Sequence, residues 1–450
     1  VEQDRYTITY RVAEVRQVMG WIEAGQSGCL VALRGVGKSN FLRFLLREDV
    51  RRRCLGPDYA DFAFVLIDLL ALTECTDGAI YELILARLLA ELRPAGVEVK
   101  TVEGIVSLHQ DVMRSRDSLT AQRAIERCVS ALCPRPARRV VMLFDEFDTA
   151  FRTLGPYLFR GLRAIRDAHK GQVSYVIVAA DELTYLRDDL TEVDHFCRLV
   201  SHNICGLGPY DEADARQMIR YLASQRSVEL SAEDTAHLIE LSGGHAGLLR
   251  AMLSLLWNAY YAGDLAKLAP VLNDEPAVQA ECRKVWDGLS QSERAALCAR
   301  AGGVQVDPHT LRRLERKGLV RERQPETPLF SPLFADFVRQ QASPLMEGTA
   351  ISRFPPTVQI DGQRVEGLTE LEFETLCYLY EHRGQVCTKD DLIENVYRQR
   401  YDRMKGGVTD GVLQTLISRL RGKIEPDRRR PRYVVTVRGE GYKFVEPDEG

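Results

Sequence analysis

The sequence predicts an α/β core followed by a small helical domain and two compact α+β domains. Three observations carry that prediction. An apolar run, "CLVAL" (Cys29 to Leu33), enters a glycine-rich turn and then a helix with one apolar face. A second apolar run further on, "RRVVMLFDEFDTAF" (Arg138 to Phe151), ends in neighbouring acids. From Thr369 to the end, two helix starts, a helix with one polar, cationic face and an alternating hairpin follow each other closely.

With 450 residues, of which 45% are hydrophobic and 28% charged, the chain reads as a soluble globular protein of two to four domains at roughly 100 to 200 residues each. No apolar run approaches the ~20 residues of a membrane span. The first residues, "VEQDRYTITY", carry no signal-peptide pattern, so a cytoplasmic location is expected. The 11 cysteines form no CxxC pair and the 8 histidines no HxxxH pair. Buried free thiols are expected in preference to disulfides or a zinc site.

The net charge of -4 conceals an asymmetry. From Arg383 to Lys443 there are 15 Lys+Arg against 8 Asp+Glu, a net of +7, and the rest of the chain is at -11. The C-terminal end is where a polyanion is expected to bind.

Cys29 to Leu33 reads as a buried strand, and "KSNFLRFLL" as a helix burying Phe41, Leu42, Phe44, Leu45 and Leu46. A phosphate-binding loop needs this context. Backbone N–H groups along Arg34, Gly35, Val36, Gly37, Lys38, Ser39 and Asn40 would face phosphate oxygens at the helix N-terminus, Lys38 would reach the terminal phosphates, and the Ser39 hydroxyl would ligate magnesium. The pattern GxxxxGK[ST] has a glycine where this chain has Ala32, which is tolerable if φ is negative there. The same residues can also be read as a structural turn.

Val140 to Asp145 reads as a buried parallel strand whose carboxyl end presents Asp145 and Glu146, the place where open α/β sheets bind ligands. This resembles a Walker B segment. Asp145 would hold magnesium, directly or through water, and Glu146 would orient or deprotonate an attacking water. Asp148 is expected as a helix cap or a solvated residue. "FAFVLIDL" (Phe62 to Leu69) and "VSYVIVAA" (Val173 to Ala180) supply further core strands.

Over roughly residues 5 to 345 the chain resembles the STAND branch of the AAA+ related P-loop ATPases. The resemblance rests on "LVALRGVGKSNFLRFLL", "VVMLFDEFD", "YVIVAADE", "GLGPYDEADARQMI" and "SGGHAGLLRAML", in that order. It implies an ATPase fold using ATP and Mg2+. It also places Asp181 near the residue that senses the terminal phosphate, with an exposed loop carboxylate as the alternative. Arg198 falls where relatives put an arginine that acts across a subunit boundary. His245 and Arg250 fall on the nucleotide side of the lid, or are surface cations of a lid helix, and Ala246 stands where the family often has proline.

After the core, "YDEADARQMIRYLASQ" and "LSAEDTAHLIEL" open with acidic or serine caps before helically spaced apolar residues. A linker near Ala269 to Gln279 leads to "LSQSERAAL", with Ser290 and Glu293 as a capping box. Helix, hairpin and helix then resemble the winged helix that follows the lid in STAND proteins. The implied boundaries are 1–206 for the P-loop NTPase core, 207–265 for the lid, 282–345 for a winged helix packed on the ATPase and 352–447 for the last domain.

In that last domain a helix capped by Thr369 and Glu372 precedes a turn at Gly384 and a second helix from Thr388. A third helix, "GVLQTLISRLRGKI", puts Leu413, Leu416, Ile417, Leu420 and Ile424 on one face. Thr415, Ser418 and Arg419 lie opposite, with Gln414 and Arg421 on the flank. "PRYVVTVRGEGYKFVE" alternates as a hairpin around Gly439 to Gly441. These residues resemble the OmpR/PhoB-type winged-helix DNA-binding domain. The resemblance implies Arg419, Arg421 and Lys423 at the major groove, Arg438 in the minor groove, Arg432 and Tyr433 beside the wing, and base reading by Thr415, Ser418 and Arg419. The loop "RYDRMKGGVTDG" is longer and richer in glycine than the family's usual version.

The function expected is an ATP-controlled DNA-binding regulator of transcription, with slow hydrolysis as the switch, self-association, and a protein partner or sensed ligand. Its partner would be double-stranded DNA, its place the nucleoid, and no membrane is involved. A DNA-processing or loading ATPase and a defence-type STAND sensor are the alternatives.

Overall fold

The computed structural model describes residues 6–445 except 116, 188, 227–228, 259–271, 302–305, 321–328, 343–348, 354–355, 361–362, 366, 398–409, 426–429 and 438. Contacts divide the chain into two compact units, Val1–Ser290 with Pro308–Phe337, and Gln291–Asp307 with Val338–Gly450.

The first unit opens with α1 (Val12–Glu23), β1 (Gly28–Ala32), α2 (Lys38–Leu45) and α3 (Glu48–Leu55). It continues through β2 (Phe62–Asp68), α4 (Asp77–Leu92), α5 (Val99–Ser115), α6 (Ser118–Leu132) and β3 (Arg139–Asp145). Next come α7 (Asp148–Thr153), α8 (Pro156–Ala168), β4 (Val173–Ala179), α9 (Asp194–Val200) and β5 (Ile204–Leu207). The five strands form one parallel sheet in the order β2-β3-β4-β1-β5.

Position in the sheet explains the sequence pattern. The strands β1 and β4 are buried along their whole length, β3 almost so, and all three read as nearly continuous apolar runs. Edge strands β2 and β5 alternate with half-buried positions. Against the sheet, Phe144, Phe147, Phe151, Phe159 and Phe196 make an edge-to-face and stacked aromatic cluster under the β3–α7 turn. That cluster anchors the residues that follow Asp145. Leu46, expected inside, is half-buried at the C-cap of α2.

Beyond β5 lie α10 (Glu212–Ser224), α11 (Ala232–Ser242) and α12 (Ala246–Asn258). Asp211 accepts from the Asp214 N–H to start α10, and Ser231 with Asp234 closes a capping box on α11. The helix α13 (Pro276–Asp287) follows, then α14 (Gln291–Ala301), α15 (Pro308–Arg316) and α16 (Pro332–Ala342). Val320 and Leu329 form one antiparallel bridge between α15 and α16. The segment expected as a single winged helix, 282–345, is thus divided, with Gln291–Asp307 in the second unit and Pro308–Phe337 in the first.

The second unit carries β6 (Thr349–Arg353), β7 (Pro356–Ile360) and β8 (Gln363–Arg364) as one antiparallel sheet. It then has α17 (Glu370–Glu381), β9 (Cys387–Thr388), α18 (Lys389–Leu392), α19 (Asp410–Ile424), β10 (Val434–Val437) and β11 (Gly441–Phe444). Capping boxes start α17 at Thr369 and Glu372 and α18 at Thr388 and Asp391. Leu413, Leu416, Ile417, Leu420 and Ile424 are all buried, as the helical period required.

Candidate functional site

At the carboxyl end of β1 the chain turns through Gly35 (φ 84) and Gly37 (φ 92) into α2. Both glycines hold the left-handed backbone that other residues avoid. Ala32, which replaces the first glycine of the loop pattern, ends β1 in extended backbone, so no such need arises there. The turn is backed by buried Val36, and the N-terminus of α2 carries Lys38 and Ser39.

Across from this loop, β3 ends in Asp145, only 2% exposed. Ser39 donates to its carboxylate. Burial raises the Asp145 pKa above the ordinary value, and the Ser39 bond and the Lys38 charge pull it back while Glu146 and Asp68 push it up further. Asp68 is its partner in register on β2. The Lys38 ammonium is buried and lies 2.7 Å from Glu146 Oε1.

Glu146 itself has φ 55, one of two non-glycine residues with positive φ among the described residues. A loop lysine, a hydroxyl, a buried carboxylate and a half-exposed glutamate therefore meet at one end of the sheet. A hydroxyl and one carboxylate are a fitting protein share for magnesium, which takes most of its remaining ligands from water and phosphate.

Of the two residues expected on the nucleotide side or as surface cations, His245 and Arg250, the structure buries one and exposes the other. His245 is fully buried. Its Nε2–H donates to the Arg34 carbonyl at 3.0 Å, and its Nδ1 accepts from the Leu248 N–H at 3.2 Å. Burial first of all lowers its pKa to about 4, so it is neutral at pH 7 and acts as a strut under the loop. Glu281, on α13, packs beside Gly35 and Gly247. Arg250 is exposed on α12.

Arg198 is exposed on α9 and pairs with Asp194 at 2.7 Å on the same helix. Asp181 is neither exposed nor free. It is 5% exposed and bound by Arg313 and by Lys317, the latter at 2.9 Å.

Four residues of the site are not legible in the sequence. Arg11, just ahead of α1, is buried and donates through Nη2 to the carbonyls of Val36 (3.3 Å) and Gly208 (2.7 Å). Its backbone N–H reaches Asp214 Oδ2 on α10 at 3.0 Å, and its guanidinium lies 4.6 Å from the Tyr210 ring centre. Tyr10 and Tyr210 pack edge to face beside Gly37. One arginine thus joins the loop, the segment after β5 and α10, and only the spacing Arg11 to Glu14, an ordinary helix-start pair, hints at it.

In the second unit, Thr415 and Arg419 are exposed on α19, and Ser418 is half-buried. Two expected groove cations are engaged within the unit instead. Arg421 donates to the Val434 carbonyl and to Thr436 Oγ1, each at 2.8 Å. Lys423 donates to the Gly367 carbonyl and Glu372 Oε2, each at 2.6 Å. The reason is placement, because the last turn of α19 runs against β10 on one side and the start of α17 on the other. Arg432 is exposed beside Tyr433, and its N–H, with those of Tyr433 and Val434, is accepted by Glu425. Arg438 lies outside the described residues.

Fold and sites together define a five-stranded parallel α/β core with a glycine loop facing an acidic strand end, and a C-terminal winged-helix unit. Residues 362–444 match the family model described as "Transcriptional regulatory protein, C terminal". The alkaline phosphatase synthesis transcriptional regulatory protein PhoP of Bacillus subtilis is 42% identical over 80 residues, 18% of this chain and 31% of that protein. The chain spans about a third of the length of the curated relatives it matches. Among solved structures, the RstA DNA-binding domain of Klebsiella pneumoniae in complex with RstA box is 31% identical, with 22% of this chain and 94% of that one covered and a TM-score of 0.19. The Walker-type ATPase PABY2304 of Pyrococcus abyssi is 16% identical, with 73% and 95% covered and a TM-score of 0.46.

Proposed function

We propose that this chain is an ATP-controlled, DNA-binding regulator of transcription. What carries the reading is the meeting of Lys38 with Glu146, beside Ser39 and Asp145, in a chain whose residues 362–444 match a transcriptional regulator's C-terminal domain.

In this reading the loop N–H groups and Lys38 hold the phosphates. Ser39 and Asp145 would hold Mg2+, which would neutralise charge on the phosphates. Lys38 leaves Glu146 for phosphate, and the freed carboxylate orients or deprotonates water. Arg34, Val36 and Asn40 contribute backbone or side-chain contacts along the loop. Arg250 faces the nucleotide from the lid, and Arg198, exposed, contacts it from a second copy of the chain. Hydrolysis is slow, as a switch requires, and Glu146 makes it chemically possible.

On the DNA side, Thr415, Ser418 and Arg419 read bases while Arg432 and Arg438 meet the backbone or minor groove at the wing. Segment 282–345 passes the nucleotide state onward. Among the described residues no helix is long and apolar enough to cross a membrane, and we place the protein in the cytoplasm, at the nucleoid when bound.

The test is DNA binding by the full chain over a range of salt, without nucleotide, with ADP, and with a non-hydrolysable ATP analogue. A steep salt slope with nucleotide-dependent affinity is the expected result. Salt-sensitive binding that ignores nucleotide would overturn the switch, and no binding would overturn the DNA reader.

A further inference from the structure

The strained residue of the site is connected, through hydrogen bonds, to a buried ionic cluster on α15. Glu146 holds φ 55 while its carboxylate pairs with Lys38. A left-handed backbone at a non-glycine residue is disfavoured and persists where surrounding contacts impose it.

The next two residues clasp the end of β4. The Phe147 N–H donates to the Val178 carbonyl at 3.2 Å, and Asp148 Oδ1 accepts from the Ala180 N–H at 2.8 Å. Directly after Ala180, Asp181 accepts from Arg313 and Lys317, both buried. Arg313 lies 4.1 Å from the centre of the Tyr185 ring, the Tyr185 hydroxyl is 2.8 Å from His309 Nε2, and Arg316 pairs with Glu182. The strand β4 itself runs between β1 and β3, so its end lies between the loop strand and the acidic strand.

We propose that the Glu146 turn and the Asp181–Arg313–Lys317 cluster form a relay that carries nucleotide occupancy from the phosphate loop to α15. The proposal rests on the nucleotide reading above and adds its output. When phosphate draws Lys38 away, Glu146 loses the partner that holds its carboxylate, and its backbone relaxes towards negative φ. Phe147 and Asp148 shift with it and carry the end of β4, whose Asp181 is the shared anchor of two buried cations. A buried carboxylate binding two cations cannot move by small degrees without leaving a charge uncompensated, so α15 responds as a step.

Hydrogen exchange on the full chain, with and without Mg2+ and a non-hydrolysable ATP analogue at saturation, tests this. Nucleotide should slow exchange in α2 and change the exchange of α15 amides by about fivefold or more, the usual size of coupling between sites. In Asp181→Asn the α2 response should persist and the α15 response vanish. Should that variant fail to fold, the triple variant Asp181→Asn, Arg313→Met, Lys317→Met removes the buried charges together. Glu146→Gly, which takes φ 55 without strain, should likewise silence α15. An α15 response surviving in these variants, or an α2 response without one in the unaltered chain, overturns the relay alone. No α2 response at all overturns the nucleotide reading, and the relay with it.

Discussion

Lys38 Nζ and Glu146 Oε1 lie 2.7 Å apart, so the cation proposed for phosphate and the carboxylate proposed for water hold each other. In that reading neither acts while the pair persists. Lys38→Ala is expected to weaken nucleotide binding by about 10- to 100-fold, the worth of a charge-assisted hydrogen bond. Glu146→Gln should bind nucleotide but lose hydrolysis by about 10²- to 10⁴-fold. Calorimetric titration and phosphate release separate the two, and unchanged affinity in Lys38→Ala would remove the loop assignment.

His245 gives a pH signature with a definite sign. Its folded pKa, about 4, is depressed from the 6.5 of the free side chain, chiefly by burial. Between those values the unfolded chain holds a proton the folded chain lacks, so this contribution is full above pH 6.5 and is lost as pH falls towards 4. At most it amounts to about 3 kcal/mol. Asp214, raised to about 6 from 3.8 by burial, acts oppositely, because its protonated form is the one favoured in the fold and stability drops as pH rises through 6. The difference between the unaltered chain and His245→Gln isolates the histidine. Urea unfolding from pH 4 to 7 should show the unaltered chain losing more stability on acidification than the variant.

Arg419 and Arg421 are two residues apart on α19 and differ in what they do. Arg419 is exposed, whereas Arg421 is bonded to β10 and its pKa is lowered by burial. Arg419→Ala should weaken DNA binding and relax base preference by about 1–3 kcal/mol with little change in Tm. Arg421→Ala should cost about 1.5–3 kcal/mol of stability in the second unit. Calorimetry with a DNA-binding titration compares them, and a falling Tm in Arg419→Ala would reverse the assignment.

The contrast marks what a sequence can reveal. Periodicity disclosed the buried face of α19, and local chemistry disclosed the glycine loop, the acidic strand end and the caps at Thr369 and Thr388, because each depends on neighbours in the chain. Which flank of α19 meets β10 depends on a strand beyond the next loop, so Arg421 and Lys423 look like Arg419 in sequence. Arg11 is hidden for the same reason, since its partners, Val36, Gly208 and Asp214, lie in three separate segments. The stretch "LRRLERKGL" reads only as a helix, and nothing local to it tells that Arg313 and Lys317 are buried on Asp181, an acid from the far end of β4.

Two glycines offer a test of how closely α15 sits on the sheet. Gly206, in β5, faces the backbone at the end of α15, and a Cβ there would overlap the Arg316 carbonyl. Backbone cannot turn aside as a flexible side chain can, so Gly206→Ala must displace α15 or bend the edge strand, at a cost of about 1–3 kcal/mol. Gly20 lies inside α1 with open space where its Cβ would be, and Gly20→Ala should stabilise by about 0.5–1 kcal/mol through helix propensity. Opposite signs are therefore expected for one chemical change, read by denaturant unfolding. Because Gly206 sits beside the helix that carries Arg313, its variant should also speed hydrogen exchange in α15, whereas Gly20→Ala should leave α15 as it is. Equal and small effects at both positions would mean that α15 does not press on β5.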